Sequence, residues 1–162
     1  MSPCLALLLL VLVTAGCSSG DTASPPGTSP ALATEAAATA TWDGPPVAQL
    51  AAEGGDSVTG QLGTYTWGDG GSDSPWLPGA PIAVGAGEPL GVSFRSPITV
   101  ATWQARAVPE GADGPAGASI LGEGTGAPAF GAPAAGSWTA EIHVVFDGGV
   151  GDASYFWRLE VT

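Results

Sequence analysis

From about Trp42 onward, short runs of β-branched and aromatic residues are separated by clusters of Gly, Pro and Asp. Within the longer runs, apolar and polar side chains alternate one by one. A period of two puts successive side chains on opposite faces of a strand, so the pattern predicts strands. The runs are Val47–Ala51, Ser57–Leu62, Thr64–Trp67, Ile82–Val84, Leu90–Arg95, Ile98–Arg106, Trp138–Phe146 and Ala153–Val161. No stretch after Val47 sustains the 3.6-residue period of an amphipathic helix, and the glycines would break most helices. Residues 42–162 are therefore expected to form one all-β domain, an antiparallel β-sandwich of immunoglobulin-like style.

The last two runs carry the clearest alternation. Trp138, Ala140, Ile142, Val144 and Phe146 form one apolar set, and Tyr155, Trp157, Leu159 and Val161 form another. Asp147-Gly148-Gly149-Val150-Gly151-Asp152 between them is rich in turn residues, which predicts a hairpin. Symmetric closure would set Glu141 opposite Arg158 and His143 opposite Phe156 on an outward face, with the apolar sets meeting inside. Residues 107–136 are dominated by Gly, Ala and Pro, with apolar anchors only at 119–121 and Phe130. A long structureless loop is uncommon in a compact domain, so one short edge strand is expected near Ile120.

Ahead of the domain the pattern disappears. Residues 18–41 are rich in Ser, Thr, Ala and Pro without periodicity, and cannot bury enough apolar area to offset the entropy of ordering. The segment 17–41 is expected to be a disordered tether. Further upstream, Leu5 to Val13 is uninterruptedly apolar. As a helix it would extend only about 13 Å, too short to span a bilayer and suited to a signal-peptide core.

That run ends in Val13-Thr14-Ala15-Gly16-Cys17, which resembles the lipobox of bacterial lipoproteins. The resemblance implies that residues 1–16 are a signal peptide, that Cys17 is acylated on sulfur, and that Cys17 becomes the first residue of the mature chain. It implies a lipid-anchored protein on the extracytoplasmic side of the cell membrane, with the bilayer as a partner through Cys17. Anchoring by two or more acyl chains is firm, whereas one alone is marginal. The net charge of −12 offers no attraction to anionic headgroups, so the lipid must hold the protein unaided.

Composition narrows the chemistry. Lys is absent and Arg stands only at 95, 106 and 158, which excludes a phosphate-binding face for nucleic acid. With Cys4 lost in the signal peptide, Cys17 is the single cysteine of the mature chain, so no internal disulfide, thiol chemistry or cysteine metal site is expected.

His143 is the only histidine. General acid–base or triad chemistry needs a positioned nucleophile and an orienting carboxylate beside it. Glu141 shares its strand face, yet no nucleophile motif such as Gly-x-Ser-x-Gly occurs, and no catalytic residue is assigned. An enzyme or accessory subunit using His143 stands as an alternative. One His without cysteines is poor zinc chemistry. Hard oxygen ligands on loops suit Ca²⁺, which makes Asp69, Asp73, Asp147 and Asp152 weak calcium candidates, although Asp and Gly also simply build turns. No other cofactor is expected. Of six tryptophans, Trp67, Trp103, Trp138 and Trp157 lie inside strand runs and read as core. Trp76, in the loop Asp73-Ser74-Pro75-Trp76-Leu77-Pro78, is expected to cap the open end of the sandwich. Alternatively, with Asp69 and Asp73, it forms a platform for a sugar ring or a partner protein. Arg95 and Arg106 are expected to balance local acids.

Gly63-Thr64-Tyr65-Thr66-Trp67, Asp-Ser-Pro-Trp at 73–76, the turn into Gly87 and Asp152-Ala153-Ser154-Tyr155 together resemble an uncharacterised family of bacterial surface lipoproteins, commonest in actinobacteria. The resemblance covers roughly residues 45–162 and implies no activity. Many such proteins carry a cysteine between the Tyr and the Trp and another in the following loop. Thr66 and Ser72 (or a neighbour) stand there in this chain, which implies that the disulfide is missing. The expected function is that of a non-catalytic binding or structural module of the cell envelope, contacting an envelope polymer or a protein. A calcium-binding surface module is the other alternative.

Overall fold

The computed structural model describes residues 43–162. The segments expected to be a signal peptide (1–16) and a tether (17–41), the expected lipidation site Cys17, and Trp42 lie outside the described residues. Eleven strands follow one another: β1 (Ala48–Ala52), β2 (Ser57–Thr59), β3 (Gln61–Trp67), β4 (Gly70–Ser72), β5 (Ala80–Val84), β6 (Pro89–Phe94), β7 (Val100–Pro109), β8 (Ser119–Gly124), β9 (Ala129–Gly131), β10 (Gly136–Phe146) and β11 (Gly151–Val161). They form an all-β sandwich. A four-stranded sheet has the order β2-β1-β6-β9, and a seven-stranded sheet runs β4-β3-β11-β10-β7-β8 with β5 also paired to β11. Among the described residues no helix is long and apolar enough to cross a membrane.

The core lies between the sheets. Leu50, Leu90 and Val92 face Ala105, Ile142, Val144, Tyr155, Trp157 and Leu159, all buried. At one end Phe146 packs edge-on against both Trp67 and Phe94, with ring centroids 5.5 and 5.3 Å apart, a geometry that aligns ring edges with the negative faces of neighbours. Trp103 and Trp157 are buried, and Trp67 and Trp138 pack partly buried against the cluster, as the strand pattern predicts.

Three departures from the sequence reading have physical causes. Ser57–Leu62 is not one strand, because the chain changes sheets at Gly60. A Cβ there would lie 2.4 Å from the Trp157 ring, and Trp157 Nε1 donates to the Val58 carbonyl at 2.9 Å. The indole thus occupies the crossing point, and only a residue without a side chain passes over it.

The β10–β11 hairpin closes two residues away from the symmetric register. Its last pair is Val145 with Asp152, while on the opposite edge of β10 Phe146 still pairs with Val100 of β7 past an irregularity in that ladder. A 3-10 turn over Asp147–Gly149, with Gly148 and Gly149 at positive φ, makes the reversal. A shift of two keeps every side chain on its face, so the apolar sets still meet inside. The outward pairs change, however. Glu141 lies opposite Phe156, His143 opposite Ser154, and Arg158 opposite Thr139.

The third departure is parallel pairing in a sheet expected to be wholly antiparallel. The first half of β11 pairs with β3, and from Trp157 onward it pairs in parallel with β5. Two short strands, β4 and β9, also escaped the sequence reading, being made of Gly, Ser, Ala and a single Phe. The edge strand near Ile120 is present as β8, with Ile120 55 % exposed.

Candidate functional site

The outer face of the seven-stranded sheet is not a plain solvated surface. Glu141, Ser154 and Phe156 point away from the core and are still buried, with exposures of 5, 5 and 3 %. Two rows of side chains cross the strands there. In the first, Glu123 of β8 pairs with Gln104 of β7, Gln104 with His143 of β10, and His143 with Ser154 of β11. Gln104 Nε2 donates to Glu123 Oε2 at 3.2 Å, and His143 Nδ1 lies 3.3 Å from Ser154 Oγ. In the second, Arg106 of β7 pairs with Glu141 of β10 and Glu141 with Phe156 of β11. The Arg106 Nε donates to Glu141 Oε2 in a part-buried ion pair.

The covering layer is the loop Asp73–Gly79. It fills the place where β11 exchanges β3 for β5 as its partner, and it turns back over the sheet instead of extending it. Thr64 anchors it: its hydroxyl donates to the Ser74 carbonyl at 3.2 Å and accepts from the Ser74 N–H at 3.1 Å. A bulge opposite Ser154, where β3 places Gly63 and Thr64 between the pairs Tyr65–Ala153 and Leu62–Tyr155, accompanies this anchor. Trp76 then stands edge-on against Phe156 with centroids 5.1 Å apart. The Arg106 guanidinium lies over its ring, 5.3 Å from the centroid, a distance at which a cation is attracted to the aromatic face.

Between this wall and Asp113-Gly114-Pro115 of the β7–β8 loop lies a cleft of about 560 Å³, reached by Gln104, Arg106, Glu141, His143 and Ser154. A second hollow of about 450 Å³ adjoins it over β7 and β8 and shares Gln104 and His143. A hollow of about 490 Å³ on the four-stranded sheet is lined mainly by Ala, Gly and Pro, with Glu53 as its one titratable side chain.

The cleft is chemically mixed. The Arg106–Glu141 pair is neutral as a unit, and Asp113 adds a negative charge at the rim. The Trp76 indole N–H is buried and has no acceptor among the described residues. Beneath the cleft, on the core side, burial pushes the Tyr155 phenol well above its ordinary range, and its hydroxyl donates to the Pro46 carbonyl at 2.6 Å.

Trp76 does not cap the end of the sandwich, because its Phe156 and Arg106 contacts place it on the outer sheet face. Asp69 and Asp73 do not line its cleft. Asp69 sits in the β3–β4 turn and Asp73 just past β4, both exposed. Asp147 opens the β10–β11 turn and accepts from the Thr99 hydroxyl. Asp152 pairs with Thr66 in β3, and Gly68 N–H bonds to the Val150 carbonyl. The two acidic turns therefore share one end of the sheet. Among the described residues, no three potential metal ligands gather.

Arg106 does balance an acid, while Arg158 pairs with Glu110 and Glu160 at 3.6 and 3.0 Å. The sequence reading missed Gln104, Ser154 and Phe156 as site residues. Gln104 belongs to the even-numbered outward set of β7, and Ser154 and Phe156 to that of β11; both sets acquire meaning only once β10 is known to lie between the two strands. The chain matches no family model, and no curated protein shows significant similarity to it.

Proposed function

We propose that this protein is a lipid-anchored, extracytoplasmic binding module of the bacterial cell envelope, acylated on Cys17, that holds an envelope component in the Trp76 cleft without chemical turnover. The observation carrying the binding half is the cleft itself. A half-buried tryptophan, an ion pair, the sole histidine and an amide converge over a rigid sheet, and pockets with a few convergent polar groups are where proteins bind ligands. The anchoring half rests on the apolar run and the Val13–Cys17 motif. A fatty-acid analogue fed to cells should label the wild-type protein and not Cys17→Ser. Purified envelope should retain the wild type more strongly than Trp76→Ala. Equal labelling would overturn the anchor, and equal retention would overturn the cleft.

An enzymatic reading draws on the His143–Ser154 contact. That contact is an ordinary cross-strand neighbour pair, and the serine is buried beneath it. His143→Ala retaining full biological effect would eliminate catalysis.

A further inference from the structure

The geometry points to a neutral saccharide chain as the ligand of this cleft, lying across the strands of the seven-stranded sheet. This inference rests on the binding reading above and adds the ligand's chemistry.

Shape comes first. The two adjoining hollows share Gln104 and His143 and so form one groove over β8, β7, β10, β11 and β3. Four strand spacings of about 4.8 Å give a length of about 19 Å, more than a single small molecule fills and suited to several units of a polymer. The groove crosses the strands on the sheet face, and the backbone groups of β7, β10 and β11 are engaged in their own ladders. A bound chain therefore meets side chains only. Peptides that join a sheet take their hydrogen bonds from an open strand edge, which this face does not offer.

Charge comes second. The net charge of −12 repels polyanions, and the one arginine in the groove is already neutralised by Glu141. An acidic polymer would find no surplus cation.

Hydrogen-bond chemistry comes third. Glu123 and Asp113 accept, the part-exposed Arg106 donates, and Gln104 and His143 can do both. Hydroxyls both donate and accept, so a ring bearing several of them can satisfy such a mixed row. Trp76 adds an apolar wall against which the C–H face of a pyranose packs.

The test uses the full mature protein in detergent, labelled with 5-fluorotryptophan, with Trp76→Phe assigning the Trp76 resonance. Neutral cello- and chito-oligosaccharides of two to six units are titrated beside an uncharged hexapeptide. Expected is a saturable shift of the Trp76 signal by the sugars and not by the peptide, with affinity rising with chain length. Gln104→Ala and His143→Ala replace side chains outside the core, and each should weaken binding by about tenfold, the effect of one hydrogen bond to a ligand. A Trp76 shift with the peptide alone would overturn the saccharide assignment and leave the binding cleft standing. Silence towards every probe, with Trp76→Phe retained on envelope as well as the wild type, would overturn both.

Discussion

The ring of Phe156 occupies the space that a side chain at position 63 would take: a Cβ on Gly63 would lie 2.3 Å from Phe156 Cε2. This single close approach sets the floor of the cleft, because Trp76 rests edge-on against the same ring. Gly63→Ala should therefore act on the site as well as on stability. Phe156 is buried and cannot swing freely, so the cost should resemble that of overpacking, about 1–3 kcal/mol. Gly91, whose missing Cβ faces open space, provides the control, with a change expected within about 0.5 kcal/mol. Urea denaturation of both variants, followed by tryptophan fluorescence, checks the contrast. Equal stability of the two would contradict it.

The Arg106–Glu141 pair supports a second expectation. Removing the guanidinium strands a carboxylate that is 5 % exposed, whereas the arginine itself is 32 % exposed and partly solvated. Breaking a fully buried pair costs about 3–5 kcal/mol; with water sharing the load, Arg106→Ala should lose about 2 kcal/mol. The double variant Arg106→Met with Glu141→Leu should regain most of that, since it leaves no orphaned charge. A double variant less stable than Arg106→Ala would show that packing under Trp76 and not charge is the dominant effect.

The hairpin, the edge strand and the buried tryptophans were legible in the sequence because alternation survives any even shift in register. The outward pairs were not, since they depend on where the turn closes, and the 3-10 turn over Asp147–Gly149 sets that point with no local signal in the strand pattern. Gly60 shows the same limit. A glycine within a strand pattern signals a close approach, yet the Trp157 ring that requires it comes from the far end of the chain. For the site, the sequence singled out Trp76 and His143 separately. Only the β7–β10–β11 register places Arg106, Gln104 and Ser154 beside them, and only the partner exchange along β11 folds the Trp76 loop onto that face.

Tyr155 should give the protein an alkaline limit. Its hydroxyl is buried, donates to the Pro46 carbonyl, and burial raises its pKa above the unfolded value of 10.0. The folded state thus keeps the proton while the unfolded chain releases it. The stabilisation is fully present below pH 10 and is lost as pH rises further. The slope approaches about 1.4 kcal/mol per pH unit. Tyr155→Phe should lose about 1–2 kcal/mol at neutral pH, through an unsatisfied carbonyl, and should show a flatter decline above pH 10. Parallel curves for the two proteins in denaturation between pH 8 and 11.5 would remove Tyr155 from this role.

Thr64 separates loop placement from fold. Its hydroxyl makes two hydrogen bonds to Ser74, and these fix the Asp73–Trp76 segment over the sheet without touching the core. Thr64→Val keeps the shape and the β-branching that suits a strand while removing both bonds, at a cost of about 1–3 kcal/mol. Most of that loss should appear as loop release and not as global unfolding, because Thr64 bonds to the Ser74 backbone of the loop and Trp76 contacts Phe156 and Arg106 on the outer face of the sheet. The expected signature is faster exchange and quencher access at Trp76, with hydrogen exchange in β10 and β11 unchanged. Binding in the cleft should fall with it. If Trp76 stays as protected as in the wild type, the aromatic and cation contacts alone position the loop, and Thr64 is dispensable to the site.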